Sequence, residues 1–367
     1  MGAQVSLQDC PKASIVATPV ERSNISSLVP NQRGGPLFVL SVWRSGSSLL
    51  YALLNQHSKI ELLYEGDLPR LHFFLFGRFR SGAWRERWEF WNQAPSRHGI
   101  AIESMPAKVS NAWEATRIVY QEVARRKQAV IWGEKTPHWY DCPLQMAEKF
   151  PDARFIFLWR DMNAVMESIS RAALSDRFFR KAGFANRALR GTEKLKQACD
   201  VLKIQRRIVH EVNYEDLTSN TSGCMQQICQ FLEISFEPRI TSLEGADRSA
   251  ISAGQHHALV RGDRVVDQKK QASPLSPALQ AKIARYICRW KQQYKGEWPK
   301  YPIDRRYGAR PPSQLELWYD RIIYQIALCR DRMVAVTYAL VPMALARKLR
   351  AWVRQHDRVI GSLPIPE

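Results

Sequence analysis

The sequence has no Cys-x-x-Cys pair, and its seven cysteines, at 10, 142, 199, 224, 229, 288 and 329, are odd in number. A disulfide framework and a cysteine zinc site are therefore not expected; reduced, packed thiols of a cytosolic protein are. The N-terminus shows no basic start followed by an apolar stretch, so no secretory signal is expected. No apolar run reaches about 18 residues, and no spanning helix is predicted. The Gly-x-x-x-x-Gly-Lys-Ser/Thr loop of nucleoside-triphosphate hydrolases is also missing. Acidic residues are scarce relative to basic ones: 35 Asp and Glu against 54 Lys and Arg, a formal net charge of +19. That imbalance favours an anionic partner, whether nucleotide, nucleic acid, acidic glycan or anionic membrane, without choosing among them.

With 45% apolar residues the chain can build a sizeable core. Residues 1–35 hold scattered Ser, Pro, Asn and Gly and read as a loose leader, although Met1-Gly2-Ala3-Gln4-Val5-Ser6 fits the N-myristoylation pattern. Short apolar runs then recur as predicted strands: Leu37–Val42, Ile60–Tyr64, Ala129–Trp132, Phe155–Trp159 and Ile208–Val212. Helical patterns separate them, notably near 163–173 and 221–232. Strands alternating with helices imply a parallel sheet covered on both faces. Residues 277–296 form a basic helical segment. From 315 an apolar stripe runs through Leu315, Trp318, Ile322, Ile326, Cys329, Met333, Val336 and Leu340, in steps of three and four.

The first predicted strand runs into Arg44-Ser45-Gly46-Ser47-Ser48 and then a helix. A helix N-terminus offers unpaired N–H groups and the positive end of its dipole; Gly lets the backbone approach, and the hydroxyls of Ser45, Ser47 and Ser48 add donors. Such a turn can hold phosphate or sulfate, and it can equally be a plain helix start. Trp159-Arg160-Asp161 stands at the carboxyl end of a strand, where open parallel sheets bind ligands. Ser168 follows two helical turns later, so one bound phosphate could be reached from both Arg160 and Ser168. A structural Arg–Asp pair with a surface Ser is the plainer alternative.

In their order and spacing these two motifs, with Gly133-Glu134-Lys135-Thr136-Pro137 and Asn213-Tyr214-Glu215-Asp216-Leu217 between and after them, resemble the sulfotransferase family that uses 3′-phosphoadenosine 5′-phosphosulfate (PAPS). The likeness covers about residues 36–300 and looks closest to the branch of bacterial carbohydrate and small-molecule enzymes and tyrosylprotein sulfotransferases. It implies an α/β, P-loop-like three-layer fold with a central parallel sheet flanked by helices; beyond the likeness, the apolar stripe from Leu315 points to a helical C-terminal extension over 301–367. It implies PAPS as co-substrate, without a metal. Ser47 stands where the family usually has Thr. By the resemblance, Arg44 meets the sulfuryl and leaving phosphate oxygens, Arg160 and Ser168 hold the 3′-phosphate, and Tyr214 packs near the nucleotide. His57-Ser58-Lys59-Ile60 stands where the family often has His-Pro-x-Ile, which points to Glu65 as general base, with Glu61 as local competitor. Lys135 matches the lysine that approaches the transferring group. His256-His257 and Gly262-Asp263-Arg264 resemble the late Gly-Asn-Arg loop; Asp263 replaces Asn, and Arg264, Lys269 and Lys270 are the expected nucleotide contacts. The two adjacent His lack carboxylate partners, and no metal site is expected.

The acceptor is expected to be the hydroxyl of a carbohydrate, lipid or small molecule. Residues 66–98 and 174–190 are rich in aromatics and Arg, which suits sugar rings, phenols and acidic groups. It suits the core of a helical subdomain equally well. The rival functions are a P-loop nucleotide kinase, which lacks its lysine loop, and a non-enzymatic basic protein that binds polyanions or a membrane surface, which leaves the ordered motifs unaccounted for. Nucleic acid is not an expected partner. The expected location is cytoplasmic. The tail's stripe is expected to dock on the protein's own domain first, with a homodimer and peripheral membrane contact as the other placements.

Overall fold

The computed structural model describes residues 34–68, 78–137, 139–176, 179, 184–251, 260–266, 277–293 and, in the tail, 313–315, 318–319, 321–326, 328–329, 333, 341–348 and 351. The leader up to Arg33, the Met1-to-Ser6 hexapeptide, Phe73, Phe74, Phe76, His256, His257, Lys269 and Lys270 lie outside the described residues.

Five strands form a parallel sheet: β1 Gly35–Leu40, β2 Ile60–Tyr64, β3 Ile131–Thr136, β4 Arg154–Trp159 and β5 Ile208–Asn213. Their order is β2-β3-β1-β4-β5, and each neighbouring pair is parallel. β1 is buried along its whole length, as the central strand of a sheet covered on both faces must be. Helix α1 (Ser47–Leu54) follows β1, α2 (Trp84–Asn92) and α3 (Ala112–Lys127) lie between β2 and β3, and α4 (Pro143–Lys149) precedes β4. α5 (Met162–Ser175) and α6 (Phe184–Ile204) lead to β5, and α7 (Tyr214–Ser219), α8 (Thr221–Leu232) and α9 (Pro277–Gln293) follow.

Because side chains alternate along a strand, the sheet feeds two cores. Phe38, Leu40 and Leu63 join Tyr120 of α3, Met166 of α5 and Leu195 of α6. Val39, Leu62 and Tyr64 join Leu50 and Leu53 of α1 and Met225 and Ile228 of α8 on the other face. Polar residues mark the helix starts: Asn111 accepts the N–H groups of Trp113 and Glu114, Asp161 that of Ala164, and Asn220 that of Gly223. Trp84 and Trp88 are fully buried and stacked, with centroids 6.2 Å apart. These two aromatics of the 66–98 segment are therefore core residues and offer no acceptor surface. Phe179 and Phe184 of the 174–190 segment are buried as well. Cys142, Cys199 and Cys229 are buried, and burial pushes the Cys199 thiol up to about 12.

The tail lies partly within the described residues. It touches the domain where Arg87 donates to the Val341 carbonyl (2.9 Å) and Arg347 pairs with Glu86 (2.5 Å). Tyr324 is buried, with Arg190 over its ring at 5.4 Å. Of the stripe, Leu315, Trp318, Ile326 and Met333 are exposed and Ile322 is half-buried, while Val336 and Leu340 lie outside the described residues. Tyr324 lies off that stripe, and the cations of α6 attract its ring. Among the described residues no helix is long and apolar enough to cross a membrane.

β2 is an edge strand, and an edge leaves N–H groups to satisfy. Tyr64 donates its N–H to Nε2 of His98 (2.9 Å), which can accept only while that nitrogen is unprotonated. Burial first, and then Arg97, pushes the His98 pKa down from 6.5 to about 4. A folded-state value below the unfolded one means that the unfolded chain takes up the extra proton. The stability tied to neutral His98 is therefore complete above about pH 6.5 and is lost as pH falls from there to about 4. Denaturant titrations across that window should show the wild type losing on the order of 2 kcal/mol more than His98→Gln, which keeps an acceptor but does not titrate. Equal pH slopes for the two proteins would refute the assignment.

Candidate active site

The site forms at the carboxyl ends of β1, β2, β3 and β4. The chain leaves β1 through Val42 and turns at Arg44, whose φ of 67° is left-handed, and at Gly46, whose φ is 92°. α1 then starts at Ser47 without a side-chain cap on its first turn among the described residues. Ser45, Ser47 and Ser48 are all buried in this turn.

Both halves of the predicted anion site meet at Arg44. Its Nε donates to Ser168 Oγ (3.0 Å), and its carbonyl accepts from Arg160 (2.8 Å). Ser168 is 3% exposed, so it is no surface residue, and Asp161 serves as the N-cap of α5. Arg160 also lies over the Tyr214 ring, 4.2 Å from its centroid. Tyr214 in turn covers Gly46, where a Cβ would come within 2.2 Å of the ring. Burial first, and then the like charges of Arg160 and Arg171, pushes the Arg44 pKa down to about 10. Burial lowers Arg160 too, with Arg171 adding to it. Desolvated cations that repel one another favour an anion between them. Arg171 is a member of this group that the motifs did not single out; its spacing of three from Ser168 on α5 is the signal that could have found it.

Lys135 and Glu65 meet in the same place. Lys135 ends up inside β3, not after it, and is 1% exposed. Its Nζ lies 2.6 Å from Glu65 Oε1 and 3.3 Å from Ser48 Oγ, over the Tyr64 ring at 4.0 Å. Ser48 and Tyr64 share a 2.7 Å hydrogen bond. Burial pushes the Lys135 ammonium below its ordinary value, and the Glu65 carboxylate pulls it back. Glu61, the competitor, stands at the opposite end of β2 and pairs with Lys127 (2.9 Å), away from the Ser-rich turn. His57 is buried and structural: its ring is hydrogen-bonded to the Ser235 carbonyl (2.7 Å) and accepts the Lys59 N–H (3.0 Å).

Arg264 is exposed. Among the described residues no contact ties it to the turn; its segment is anchored by Asp263, which pairs with Arg248 at 3.2 Å. Among the described residues no group of His, Cys, Asp and Glu is arranged to hold a metal ion.

The sulfotransferase family model matches residues 36–238, more than half of the chain and the whole stretch from β1 through α8. The chain belongs to the sulfotransferase family. None of the curated proteins matches it. Among solved structures this sulfotransferase is similar to the sulfotransferase domain of the Synechococcus PCC 7002 olefin synthase, at 19% identity and a TM-score of 0.50, covering 74% of this chain and 98% of that one. The sulfotransferase domain from the curacin biosynthetic pathway is also 19% identical, with a TM-score of 0.48, covering 70% of this chain and 98% of that one. At such identity the first likeness shows the fold, which is the P-loop-like three-layer architecture. The Ser-rich turn, Lys135, Arg160 and Ser168 all fall inside the matched residues.

Proposed function

We propose that this sulfotransferase moves a sulfuryl group from PAPS to a hydroxyl of a carbohydrate, lipid or small-molecule acceptor. The observation that carries the reading is one unbroken line of contacts. Glu65 touches Lys135, Lys135 touches Ser48 of the turn, and Arg44 of that turn touches Ser168 and Arg160. A proton acceptor, a cation and an anion site thus adjoin, as transfer to a hydroxyl requires.

The fit to the nucleotide rests on the turn. Gly46 lies against the face of Tyr214, and the start of α1 with Ser45, Ser47 and Ser48 supplies donors for the phosphosulfate end. Arg160 and Ser168 hold the 3′-phosphate, Tyr214 packs near the nucleotide, and Arg264 adds an outer contact. PAPS itself supplies an activated sulfuryl group on a good leaving group. Glu65 takes the acceptor's proton. Lys135 and Arg44 stabilise the negative charge that develops on the leaving oxygen, in a buried setting where such contacts count most. The kinase alternative finds no support in the turn, which lacks a lysine.

Calorimetry with 3′-phosphoadenosine 5′-phosphate (PAP) in the presence of chelator tests the reading. Binding of PAP in preference to ATP is expected. Arg160→Ala should weaken PAP by about 1.5–3 kcal/mol, the worth of a charge-assisted contact, and should hardly affect adenosine 5′-phosphosulfate, which has no 3′-phosphate. A preference for ATP, or equal losses for both ligands, would contradict it.

A further inference from the structure

Glu134, the neighbour of Lys135 in β3, is fully buried. A carboxyl in a core is costly unless hydrogen-bonded, and an apolar side chain would have served packing alone. Burial pushes its pKa well above the ordinary carboxylate range. Its Oε2 accepts from Tyr120 of α3 (2.8 Å), and its Oε1 accepts the backbone N–H of Asp67 (2.7 Å). The second bond reaches the turn that carries Glu65.

That turn is held from several sides. Glu65 donates its N–H to the Lys135 carbonyl (2.9 Å). Its own carbonyl accepts from Asn92 (2.8 Å), and the Gly66 carbonyl accepts from Trp88 (2.8 Å). Trp139 donates to the Asp67 carboxylate (2.8 Å). Glu65 and Asp67 both have left-handed φ, 50° and 52°, a conformation that side chains other than glycine adopt only when their surroundings impose it. Gly66 passes so close that a Cβ there would sit 2.1 Å from Leu63 and 3.2 Å from Glu134 Oε2. Neighbouring residues of a strand point to opposite faces. β3 therefore grips the turn twice: Lys135 bonds the Glu65 carboxylate from one face and Glu134 bonds the Asp67 amide from the other.

We propose that Glu134 is a positioning residue: its carboxyl, steadied by Tyr120, fixes the Asp67 amide and thereby sets where Glu65 presents its carboxylate. This rests on the reading of Glu65 as the base.

The test compares Glu134→Ala, Glu134→Gln and Tyr120→Phe by kcat, PAP affinity and amide hydrogen exchange at 65–67. Glu134→Ala should lower kcat by about a hundredfold, as a small misplacement of a catalytic group does. PAP affinity should be unchanged, because β1 and α1 carry the nucleotide turn, and exchange at Asp67 should accelerate. Glu134→Gln should restore near-normal kcat and protection, since the amide oxygen still accepts from Asp67 and its NH2 can donate to Tyr120. Tyr120→Phe, the variant least disturbing to the core, should lose about fivefold in kcat with faster exchange at Asp67, and it decides the matter if Glu134→Ala does not fold. Unchanged exchange in Glu134→Ala or Tyr120→Phe would overturn the proposal, as would a Gln variant as impaired as Ala. Exchange is read without turnover, so it stands apart from the base reading, which a fully active Glu65→Gln would remove on its own.

Discussion

Glu65→Gln is expected to lower kcat by about a hundred- to ten-thousand-fold, the usual worth of a general base, while PAP affinity stays within about twofold. The glutamine keeps the volume and still accepts from Lys135, whose Nζ lies 2.6 Å from Oε1. It cannot take a proton. The Glu65 side chain is 26% exposed although Lys135 beside it is nearly inaccessible, so an acceptor can reach the carboxylate while the cation stays dry. Steady-state rates of product formation, with PAP titrations on the same preparations, check this. A variant with wild-type kcat would move the base elsewhere. Glu61 is a poor substitute, because it pairs with Lys127 at the other end of β2.

Gly46→Val is expected to weaken PAP by about a hundredfold or more, from two additive causes. A residue with a Cβ at φ 92° is strained by about 1–2 kcal/mol. The new Cβ would also lie 2.2 and 2.5 Å from ring carbons of Tyr214, which cannot yield without disturbing Arg160 above it. Losing the Arg160 contact alone costs about 1.5–3 kcal/mol, which is already about ten- to a hundredfold. Adding Tyr214→Ala to Gly46→Val should recover part of the affinity by removing the collision, leaving the backbone strain. Undiminished PAP affinity in Gly46→Val would mean that the turn does not meet the nucleotide.

The five strands and the Ser-rich turn were legible because a buried parallel strand is a short apolar run, and because strand, Gly/Ser turn and helix follow one another in the chain. The helices predicted near 163–173 and 221–232 are found at Met162–Ser175 and Thr221–Leu232. The third strand was misplaced at its end: Gly133 to Thr136 looked like a polar exit, yet all four lie in β3. Glu134 and Lys135 are tolerated there because Tyr120, Asp67, Glu65 and Ser48 satisfy them, and those partners stand up to 87 residues away in the chain. Nothing local announces such pairings. The same holds for Arg44 with Ser168, 124 residues apart, and for Tyr214 over Gly46. The periodicity of Leu315 to Leu340 says nothing of what covers that face, since three-residue and four-residue steps are the same for a docked and an exposed face. The aromatics of 66–98 posed the matching ambiguity, and the burial of Trp84 and Trp88 resolves it for those two towards the core.

The most direct test of the central claim is incubation of the protein with PAPS labelled in its sulfuryl group and a pool of hydroxyl-bearing metabolites, followed by mass spectrometry. The account predicts labelled sulfated products together with released PAP, with Glu65→Gln producing almost none although it binds PAP. Label that stays on PAPS across carbohydrate, lipid and small-molecule pools, in a protein that binds PAP and is fully folded, would contradict it.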